Sequence, residues 1–414
     1  MASWLGCQTA IEGAILERYI VEGLMNRKLL LFVFAVAAAF AASPKSEPRL
    51  AVSLVRVPNG GIQPQAVIGP GGILHVLYFA GDPKAGDLFY ARSRDYGSTW
   101  STPLRVNSTP GSSIALGTIR GGQMAIGRNG RIHVAWNGSS AVQADGPLNP
   151  EAGQRGAPML YSRLSADATS FEPERSLMTH TFGLDGGGTI SADSSGNVYV
   201  AWHGKTAVAP KGEAGRQVWI AVSHDDGATF AAEQPAWAEQ TGACGCCGMA
   251  LFADSKGTVR ALYRSATEDI HRDTFLLGSF DRGRSFTGRK VHTWEINACP
   301  MSSMAFSEGA GMVVGAWETG GQVYFENLTK TNATPVSAPG EGKGRKHPRL
   351  AIASNGEILM TWAEGTGWQR GGSLAWQLFD LNGKSLGEKH VQAGVPVWSF
   401  GAVAVKPDGF VILY

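Results

Sequence analysis

One short unit occurs again and again along this 414-residue chain, and it restricts the possible folds more than any other feature. Each unit has an apolar strand, a turn ending in glycine, and a second strand that ends in an aromatic residue. β-Branched and aromatic residues on both sides of a glycine turn are typical of β-hairpins. The units read GPGGILHVLYF, GRNGRIHVAWN, DSSGNVYVAWH, DSKGTVRALYR, EGAGMVVGAWE, ASNGEILMTWA and KPDGFVILY.

The spacing of these hairpins predicts an all-β fold of a particular kind. The turn glycines lie roughly 45 to 66 residues apart, which suits four-stranded β-propeller blades with insertions. A helical repeat of this period would need long amphipathic segments, and the sequence has none. We therefore predict a β-propeller over residues 47–414, with seven blades favoured and six as the alternative. The stretch PRLAVSLVRVP would add an outer strand to the last blade and close the ring.

A second motif follows the hairpins and carries a family resemblance. SRDYGSTW (93–100), SHDDGATF (223–230) and SFDRGRSF (279–286) share the pattern S-x-D-x-G-x-[TS]-[WF]. In such a turn the Asp side chain accepts backbone N–H bonds and the Gly takes a positive φ. The motif resembles the Asp-box, or BNR repeat, of the sialidase superfamily, and the resemblance spans nearly the whole propeller region. We expect these turns to be structural, so Asp95, Asp225 and Asp281 are not catalytic candidates.

The resemblance implies an exo-α-sialidase-like glycoside hydrolase, but the catalytic motif of that family is incomplete here. The family uses three arginines on the substrate carboxylate, an Asp as acid/base, and a Tyr nucleophile beside a Glu. Gln63 and Gln65 stand where its first arginine is expected, and Trp398 replaces the Tyr. A standard sialidase mechanism is therefore not supported. Recognition of a glycan, with or without hydrolysis, remains the expected function, and a non-catalytic glycan-binding propeller is one alternative.

The propeller topology predicts which side chains line the central channel. The start of each innermost strand and the end of the next strand lie on one face, where pockets in such folds form. Hydrolysis of a glycosidic bond needs two carboxyl groups, and the candidates are Asp185, Glu318 and Glu364. The predicted substrate-binding residues, including a possible arginine clamp for an acidic sugar, are Arg120, Arg264, Arg349, Gln63, Gln65 and Trp398. We expect a glycan or another small molecule as the ligand.

The cysteines allow a function of a different class. TGACGCCGMA places Cys244, Cys246 and Cys247 within four positions, and Cys299 follows in NACPMSS. Thiolate and imidazole ligands suit copper or zinc, so a redox or metal-binding site is an alternative. Its predicted ligands are Cys246, Cys247, Cys299 and His347, with Met301 as a weak axial partner. In an exported protein, disulfides from Cys244 or Cys246 to Cys299 are the competing expectation, and free thiols are a third.

The N-terminal region indicates export. MNRKLLLFVFAVAAAFAAS, from Met25, has the basic start, apolar run and small residues of a signal peptide, which we assign to residues 25–42. Residues 1–24, with Cys7, would then be an extension from a mis-assigned start codon. We expect a secreted or periplasmic monomer with no membrane span after cleavage. The net charge of +2, with both signs scattered, gives no nucleic-acid footprint.

Overall fold

The structure is a computed structural model that describes residues 50–143, 145–153 and 155–414. The predicted signal peptide, the N-terminal extension and Cys7 lie outside the described residues. The chain from Leu50 to Tyr414 is one compact unit. Its described residues form strands and four short 3₁₀ turns, Pro58–Gly60, Pro70–Gly72, Leu116–Thr118 and Arg128–Gly130. No helix in the described part of the chain is long and apolar enough to cross a membrane.

The strands form seven sheets, and each sheet is one blade. The first strand, β1 (Ala51–Val55), belongs to the last blade. Blade 1 consists of β2 (Ile62–Ile68), β3 (Leu74–Asp82), β4 (Ala85–Ser93) and β5 (Leu104–Arg105). Blade 2 consists of β6 (Gln123–Ile126), β7 (Ile132–Asn137), β8 (Met159–Arg163) and β9 (Arg175–Ser176). Blade 3 consists of β10 (Thr189–Ala192), β11 (Val198–Gly204), β12 (Gln217–Ser223) and β13 (Gln234–Pro235).

The second half of the ring has the same order of strands. Blade 4 consists of β14 (Ala250–Ala253), β15 (Val259–Arg264), β16 (Thr274–Ser279) and β17 (Thr287–His292). Blade 5 consists of β18 (Ala305–Gly309), β19 (Met312–Thr319), β20 (Gln322–Asn327) and β21 (Val336–Ser337). Blade 6 consists of β22 (Arg345–Ile352), β23 (Ile358–Glu364), β24 (Gly372–Phe379) and β25 (Ser385–Val395). Blade 7 has β26 (Ala402–Lys406), β27 (Gly409–Leu413) and β1.

The blades form a closed ring. The innermost strands of neighbouring blades contact one another in sequence, and β26 of blade 7 returns to β2 of blade 1. The N-terminal strand β1 pairs in parallel with β27, from Ala51 opposite Gly409 to Val55 opposite Leu413, whereas the other strand pairs are antiparallel. The seven-bladed propeller and its closing strand are therefore confirmed, and the six-bladed alternative is wrong.

The core consists of layers between adjacent blades. The aromatic residue that ends each hairpin is buried in one of these layers: Trp202 packs against Met159 and Tyr161 of the preceding blade. Trp317 packs in the same way against Leu262 of blade 4. Because each layer needs both of its blades, closing the ring completes the core.

The S-x-D-x-G turns lie at the ends of the blades farthest from the inner-strand starts. In the second turn, Ser223 Oγ donates to Asp225 Oδ1 (2.7 Å), and the backbone N–H of Thr229 donates to the same oxygen (2.8 Å). Gly227 has φ +74° and donates its N–H to Ser223 Oγ. The turns at Asp95 and Asp281 have the same bonds. Their side chains are therefore engaged in turn structure.

Asp225→Ala should lower the melting temperature by roughly 1 to 3 °C at pH 7. Slight burial raises the pKa of Asp225, but hydrogen bonds from Thr229 outweigh it and hold the pKa at about 2. Because the pKa of Asp225 is depressed in the folded protein, its contribution to stability is present above the unfolded pKa near 4 and is lost as the pH falls towards 2. Thermal melts should show a smaller difference in melting temperature between the parent and Asp225→Ala at pH 2.5 than at pH 7. Equal melting temperatures at pH 7 would contradict it.

Candidate functional site at the channel mouth

The face that carries the starts of the inner strands, here called the mouth, has two distinct halves. Blades 6, 7, 1 and 2 contribute aromatic and cationic side chains, and the segments that lead into blades 4 and 5 contribute the cysteines. Nearly all of the predicted site residues lie on this face, because antiparallel topology puts inner-strand starts and second-strand ends at the same edge. They differ, however, in what they can reach.

Arg120 and Asp185 form the exposed ion pair of the mouth. One Nη of Arg120 contacts Asp185 Oδ1, and Arg120 Nε donates to the Asp185 carbonyl (2.6 Å). Asn137 Nδ2 donates to the same carbonyl at 3.0 Å. The Asp185 side chain is 40% exposed, and that of Arg120 is 17% exposed. This pair is therefore held in a fixed position and is open to a ligand.

An aromatic platform lies beside this ion pair, and the sequence pattern identified only half of it. Trp368, in the loop after β23, is 57% exposed and contacts Trp398 edge to face, with ring centroids 6.0 Å apart. The Trp368 ring also reaches Gly117, where a Cβ atom would come 3.4 Å from the ring and 2.7 Å from Arg120 Nη1. The Trp398 Nε1 proton has no partner among the described residues. The signal that was missed was a tryptophan in a glycine-rich loop, GTGWQRGG.

Gln63 has a structural role and is not free to bind substrate as predicted. Its Nε2 donates to the carbonyls of Ala115 (2.6 Å) and Trp398 (2.9 Å), and its Oε1 accepts from the Gly121 N–H (2.9 Å). Gln63 is 3% exposed and has φ +53°. It joins blades 7, 1 and 2. Gln65, by contrast, lines the channel and leaves its Nε2 without a partner in the described structure.

Arg349 brings positive charge to the channel below the mouth. With Gln65 it lines a cavity of about 290 Å³. Its guanidinium stacks 4.4 Å from the Phe400 ring centroid and donates to Ser303 Oγ (3.0 Å). Within the described residues, Arg349 has no carboxylate partner. Burial lowers the pKa of Arg349 to about 10, so the group stays charged at neutral pH.

The third predicted arginine and the other two predicted acids do not face the channel. Arg264 and Glu318 form a buried pair between blades 4 and 5, with Nη2 and Oε2 3.3 Å apart, and each residue is at most 2% exposed. Glu364 pairs with Arg345 and Lys389, each at 3.1 Å. The predicted three-arginine clamp is therefore not assembled. Asp185 is the one predicted acid that a sugar at the mouth can reach.

The cysteines form a compact group, although with different members from those predicted. The sulfurs of Cys244, Cys246 and Cys247 all lie within 4.8 Å of one another in a buried turn. Cys299 is exposed and lies outside this group, and so does His347. The predicted disulfide from Cys244 or Cys246 to Cys299 is not formed in the structure. Cys244, which the predicted ligand set omitted, therefore replaces Cys299.

Charged residues that the sequence pattern did not indicate surround the cysteine turn. Glu213 Oε1 accepts from the Gly245 N–H at 2.6 Å, and Glu213 Oε2 contacts Arg272 Nη1 at 2.6 Å. Burial raises the pKa of Cys247, but hydrogen bonds from the other two thiols and the charge of Arg264 outweigh it and lower that pKa well below its usual range. Glu213 belongs to a long loop of blade 3, and no local sequence signal places it beside blade 4.

A second cavity, of about 550 Å³, lies at the other end of the channel. Its polar lining is already used by its own turns and strands. Asp193 accepts from the Asn197 N–H (2.9 Å), Asp254 pairs with Arg260, and Glu308 accepts from the Ser255 N–H (2.9 Å). The mouth, with an exposed tryptophan and an open ion pair, has the better features for a ligand.

Comparison with known proteins reveals relatives by structure and none by sequence. No protein-family model matches the sequence, and no curated protein matches it. A protein of unknown function from Dyadobacter fermentans aligns with a TM-score of 0.52 and 15% identity, over 80% of this chain and 98% of its own. The α-L-arabinanase of Penicillium chrysogenum, complexed with arabinobiose, aligns with a TM-score of 0.51 and 14% identity, over 81% and 99%.

The intramolecular trans-sialidase of Ruminococcus gnavus, in complex with oseltamivir carboxylate, aligns with a TM-score of 0.51 and 10% identity, over 79% of this chain and 95% of its own. The likeness is one of fold. Sialidase-type and arabinanase-type propellers share this architecture, and identities of 10 to 15% say nothing about which residues do chemistry here.

Proposed function

We propose that the protein binds an acidic glycan at the channel mouth. The observation that carries the proposal is the platform of Trp368 and Trp398 beside the open Arg120–Asp185 pair. Trp368 is exposed and Trp398 is half-buried beside it, and together they supply flat apolar surface that suits the faces of sugar rings. The ion pair supplies donors and acceptors for hydroxyl groups.

The preference for an acidic sugar rests on Arg349. It is a charged guanidinium that faces a cavity and has no carboxylate partner among the described residues. A guanidinium binds a carboxylate with two parallel hydrogen bonds. Among the neighbours in fold, one is complexed with arabinobiose, a neutral sugar, and one with oseltamivir carboxylate, an acidic ligand. The unpaired charge of Arg349 favours a sialic or uronic acid.

Binding is proposed in preference to hydrolysis. Hydrolysis by the usual routes requires a second carboxyl group or another nucleophile next to the acid. Of the predicted acids, Glu318 is buried with Arg264, and Glu364 is paired with Arg345 and Lys389. Trp398 occupies the position at which the sialidase resemblance would place the tyrosine nucleophile.

Substitutions in the platform and in the cavity should have different effects on acidic and neutral probes. Trp368→Ala should weaken 3′-sialyllactose and lactose alike, because ring stacking does not depend on the carboxylate. Arg349→Ala should weaken the binding of 3′-sialyllactose about 10- to 100-fold, since a charge-assisted hydrogen bond contributes about 1.5 to 3 kcal/mol. The same substitution should leave the binding of lactose unchanged. Calorimetry or saturation-transfer NMR measures both, with oligogalacturonate as a second acidic probe.

Phe280→Ala is the matched control for this experiment. Phe280 is an aromatic residue with 82% exposure in an S-x-D-x-G turn, at the far end of its blade. Its removal should leave binding unchanged. Equal binding of the acidic probes to the parent and to Arg349→Ala would contradict the acidic-sugar assignment. Equal binding of every probe to the parent and to Trp368→Ala would contradict the site.

A further inference from the structure

The three cysteines of the CGCC turn form a sulfur group that the proposed glycan site does not use. The Sγ atoms of Cys244 and Cys246 are 3.3 Å apart, and all three sulfurs lie within 4.8 Å of one another. Three sulfurs bonded to one ion at about 2.3 Å, in a plane, would be about 4 Å apart. Small side-chain rotations would therefore place the three sulfurs around a single ion.

One backbone hydrogen bond within this turn and two to neighbouring segments hold it in place. The Cys247 N–H donates to the Cys244 carbonyl at 3.4 Å, and the Cys244 N–H donates to the Arg264 carbonyl at 2.9 Å. The Gly248 N–H donates to the Ser302 carbonyl of blade 5 at 2.9 Å. A ligand group built on fixed backbone binds a metal with little loss of conformational entropy. The sulfurs are thus arranged before any ion arrives.

Two buried arginines lie near the three cysteines. The Arg264 guanidinium interacts electrostatically with Cys247, and the Arg272 guanidinium interacts with Cys244 and Cys246. Both arginines are buried, at 2% and 5% exposure, and each is paired with a carboxylate, Arg264 with Glu318 and Arg272 with Glu213. Thiolates are the metal-binding form of cysteine.

His203 is a second, independent sign of a ligand at this place. It is 2% exposed, and neither of its ring nitrogens has a hydrogen-bond partner in the described structure. Its side chain is close enough to Cys247 for the two groups to interact electrostatically. A buried imidazole without partners is unusual, so a group that accepts its ring proton is expected nearby. The sulfur-containing side chain of Met301 packs against the same three cysteines.

The number of ligands decides which ion fits. Structural zinc sites are tetrahedral and need four protein ligands. Within residues 50–143, 145–153 and 155–414, no histidine nitrogen or carboxylate oxygen joins the three sulfurs as a fourth ligand. Copper(I) is a soft ion that accepts three thiolates. We propose that Cys244, Cys246 and Cys247 bind one Cu(I) ion through their three sulfurs.

The test uses the full chain, purified and handled without oxygen in the presence of reductant. Cys7→Ser is included throughout, so that the cysteines of the propeller are the ones counted. Cu(I) is supplied in competition with bicinchoninate, and copper is measured after desalting. We expect one copper per chain, and X-ray absorption should show three sulfur neighbours at about 2.2 to 2.3 Å.

Two variants separate the proposed site from its surroundings. Cys246→Ser should weaken Cu(I) binding by at least about 100-fold, because one of three direct ligands is lost. Cys299→Ser is the matched control, since Cys299 is exposed and outside the sulfur group, and its affinity should stay within about 2-fold of the parent. Alkylation of the Cys7→Ser parent requires no further variant: one equivalent of Cu(I) should protect three cysteines, while Cys299 reacts.

Several results would overturn the proposal. The first is that the protein retains no copper against bicinchoninate. The second is that Cys246→Ser and the parent bind copper equally. The third is that the three cysteines are alkylated at the same rate with and without Cu(I). A disulfide within the CGCC turn in protein purified without reductant would also overturn it. Tighter binding of zinc than of Cu(I), with a nitrogen neighbour in the absorption spectrum, would assign the site to zinc and reject copper.

Discussion

Arg264→Met should destabilise the protein by about 3 to 5 kcal/mol at pH 7 to 8. Arg264 is 2% exposed and pairs with Glu318, which is 1% exposed, across the layer between blades 4 and 5. It also donates to the backbone carbonyls of Arg272 (2.8 Å) and of Glu318 itself. Methionine fills much of the same volume but leaves a buried carboxyl group without its cation. Denaturant unfolding of reduced, metal-free protein measures the loss.

The double variant Arg264→Met with Glu318→Gln is the control for this loss. Glutamine keeps an Oε1 acceptor for the Gly321 N–H, which donates to Glu318 at 2.7 Å, and it carries no charge. Replacing both members of a buried pair by neutral groups is often close to neutral for stability. The double variant should therefore recover most of the stability. A double variant as unstable as Arg264→Met would show that the hydrogen bonds of Arg264, and not its charge, stabilise the blades.

The loss should also depend on pH. Burial raises the pKa of Glu318 to about 7, although the charge of Arg264 lowers it in part. Because the folded pKa is raised, the contribution of this group is fully present below the unfolded pKa near 4.3 and is lost as the pH rises through 7. Without Arg264 the folded pKa rises further, so Arg264→Met should be less destabilised at pH 5 than at pH 8. The Glu318→Gln double variant should not show this difference.

The fold was predictable from the sequence because its signals are local. Each hairpin has its glycine turn and its terminal aromatic within about ten residues, so the local stretch GQMAIGRNGRIHVAWN predicts strands β6 and β7. Seven such hairpins then determine the number of blades, and the apolar stretch around Ala51–Val55 supplies the remaining strand. None of these steps needs a distance between remote residues.

The directions of side chains on the second strands were harder to predict. Arg264 and Glu318 each follow the aromatic that ends a hairpin, and the sequence pattern placed both at the channel. The second strand of a blade lies outside the first, however, so its side chains enter the layers between blades. The two residues occupy the same position on neighbouring blades and pair with each other there. The sequence pattern therefore aligned the repeats correctly, but it placed these two side chains at the channel when they lie between the blades.

The members of the cysteine group were predicted incorrectly because Cys299 does not share the register of Cys247 relative to the inner strands of blades 4 and 5. Ala250 of blade 4 pairs with Leu262, and Ala305 of blade 5 pairs with Ala316, so these two alanines are equivalent. Cys247 lies three residues before Ala250, whereas Cys299 lies six residues before Ala305. Cys244 also lies six residues before its alanine, so Cys299 corresponds to Cys244 and not to Cys247, and it is exposed and outside the group. Loop lengths between blades set this offset, and no motif in the sequence reports them.

Deleting residues 50–56 should destabilise the protein at least as much as Arg264→Met does. These residues include β1, which closes the ring by pairing with β27. Leu50, Val52 and Leu54 pack into the layer between blades 6 and 7, and Val55 packs into the layer between blades 7 and 1. Partial burial of four such side chains contributes about 4 to 6 kcal/mol, which is comparable with the whole stability of an ordinary domain.

The segment that would move into the vacated position cannot replace the strand. It reads ASPKSEPR, with prolines at Pro44 and Pro48, and proline removes hydrogen bonds from a strand. The outer edge of β27 would then be unpaired, and an unpaired apolar edge favours aggregation. The deleted chain should melt more than about 10 °C below the full chain, or without cooperativity.

A peptide EPRLAVSLVRVP, added in trans, should restore part of the lost stability, because a closing strand acts through pairing and packing and does not require covalent continuity. The restoration should require millimolar peptide, since a tethered strand has an effective concentration of that order. A scrambled peptide of the same composition should have no effect. A deleted chain that melts cooperatively within about 2 °C of the full chain would mean that the six complete blades support β26 and β27 on their own. In that case the ring does not depend on β1 for its closure.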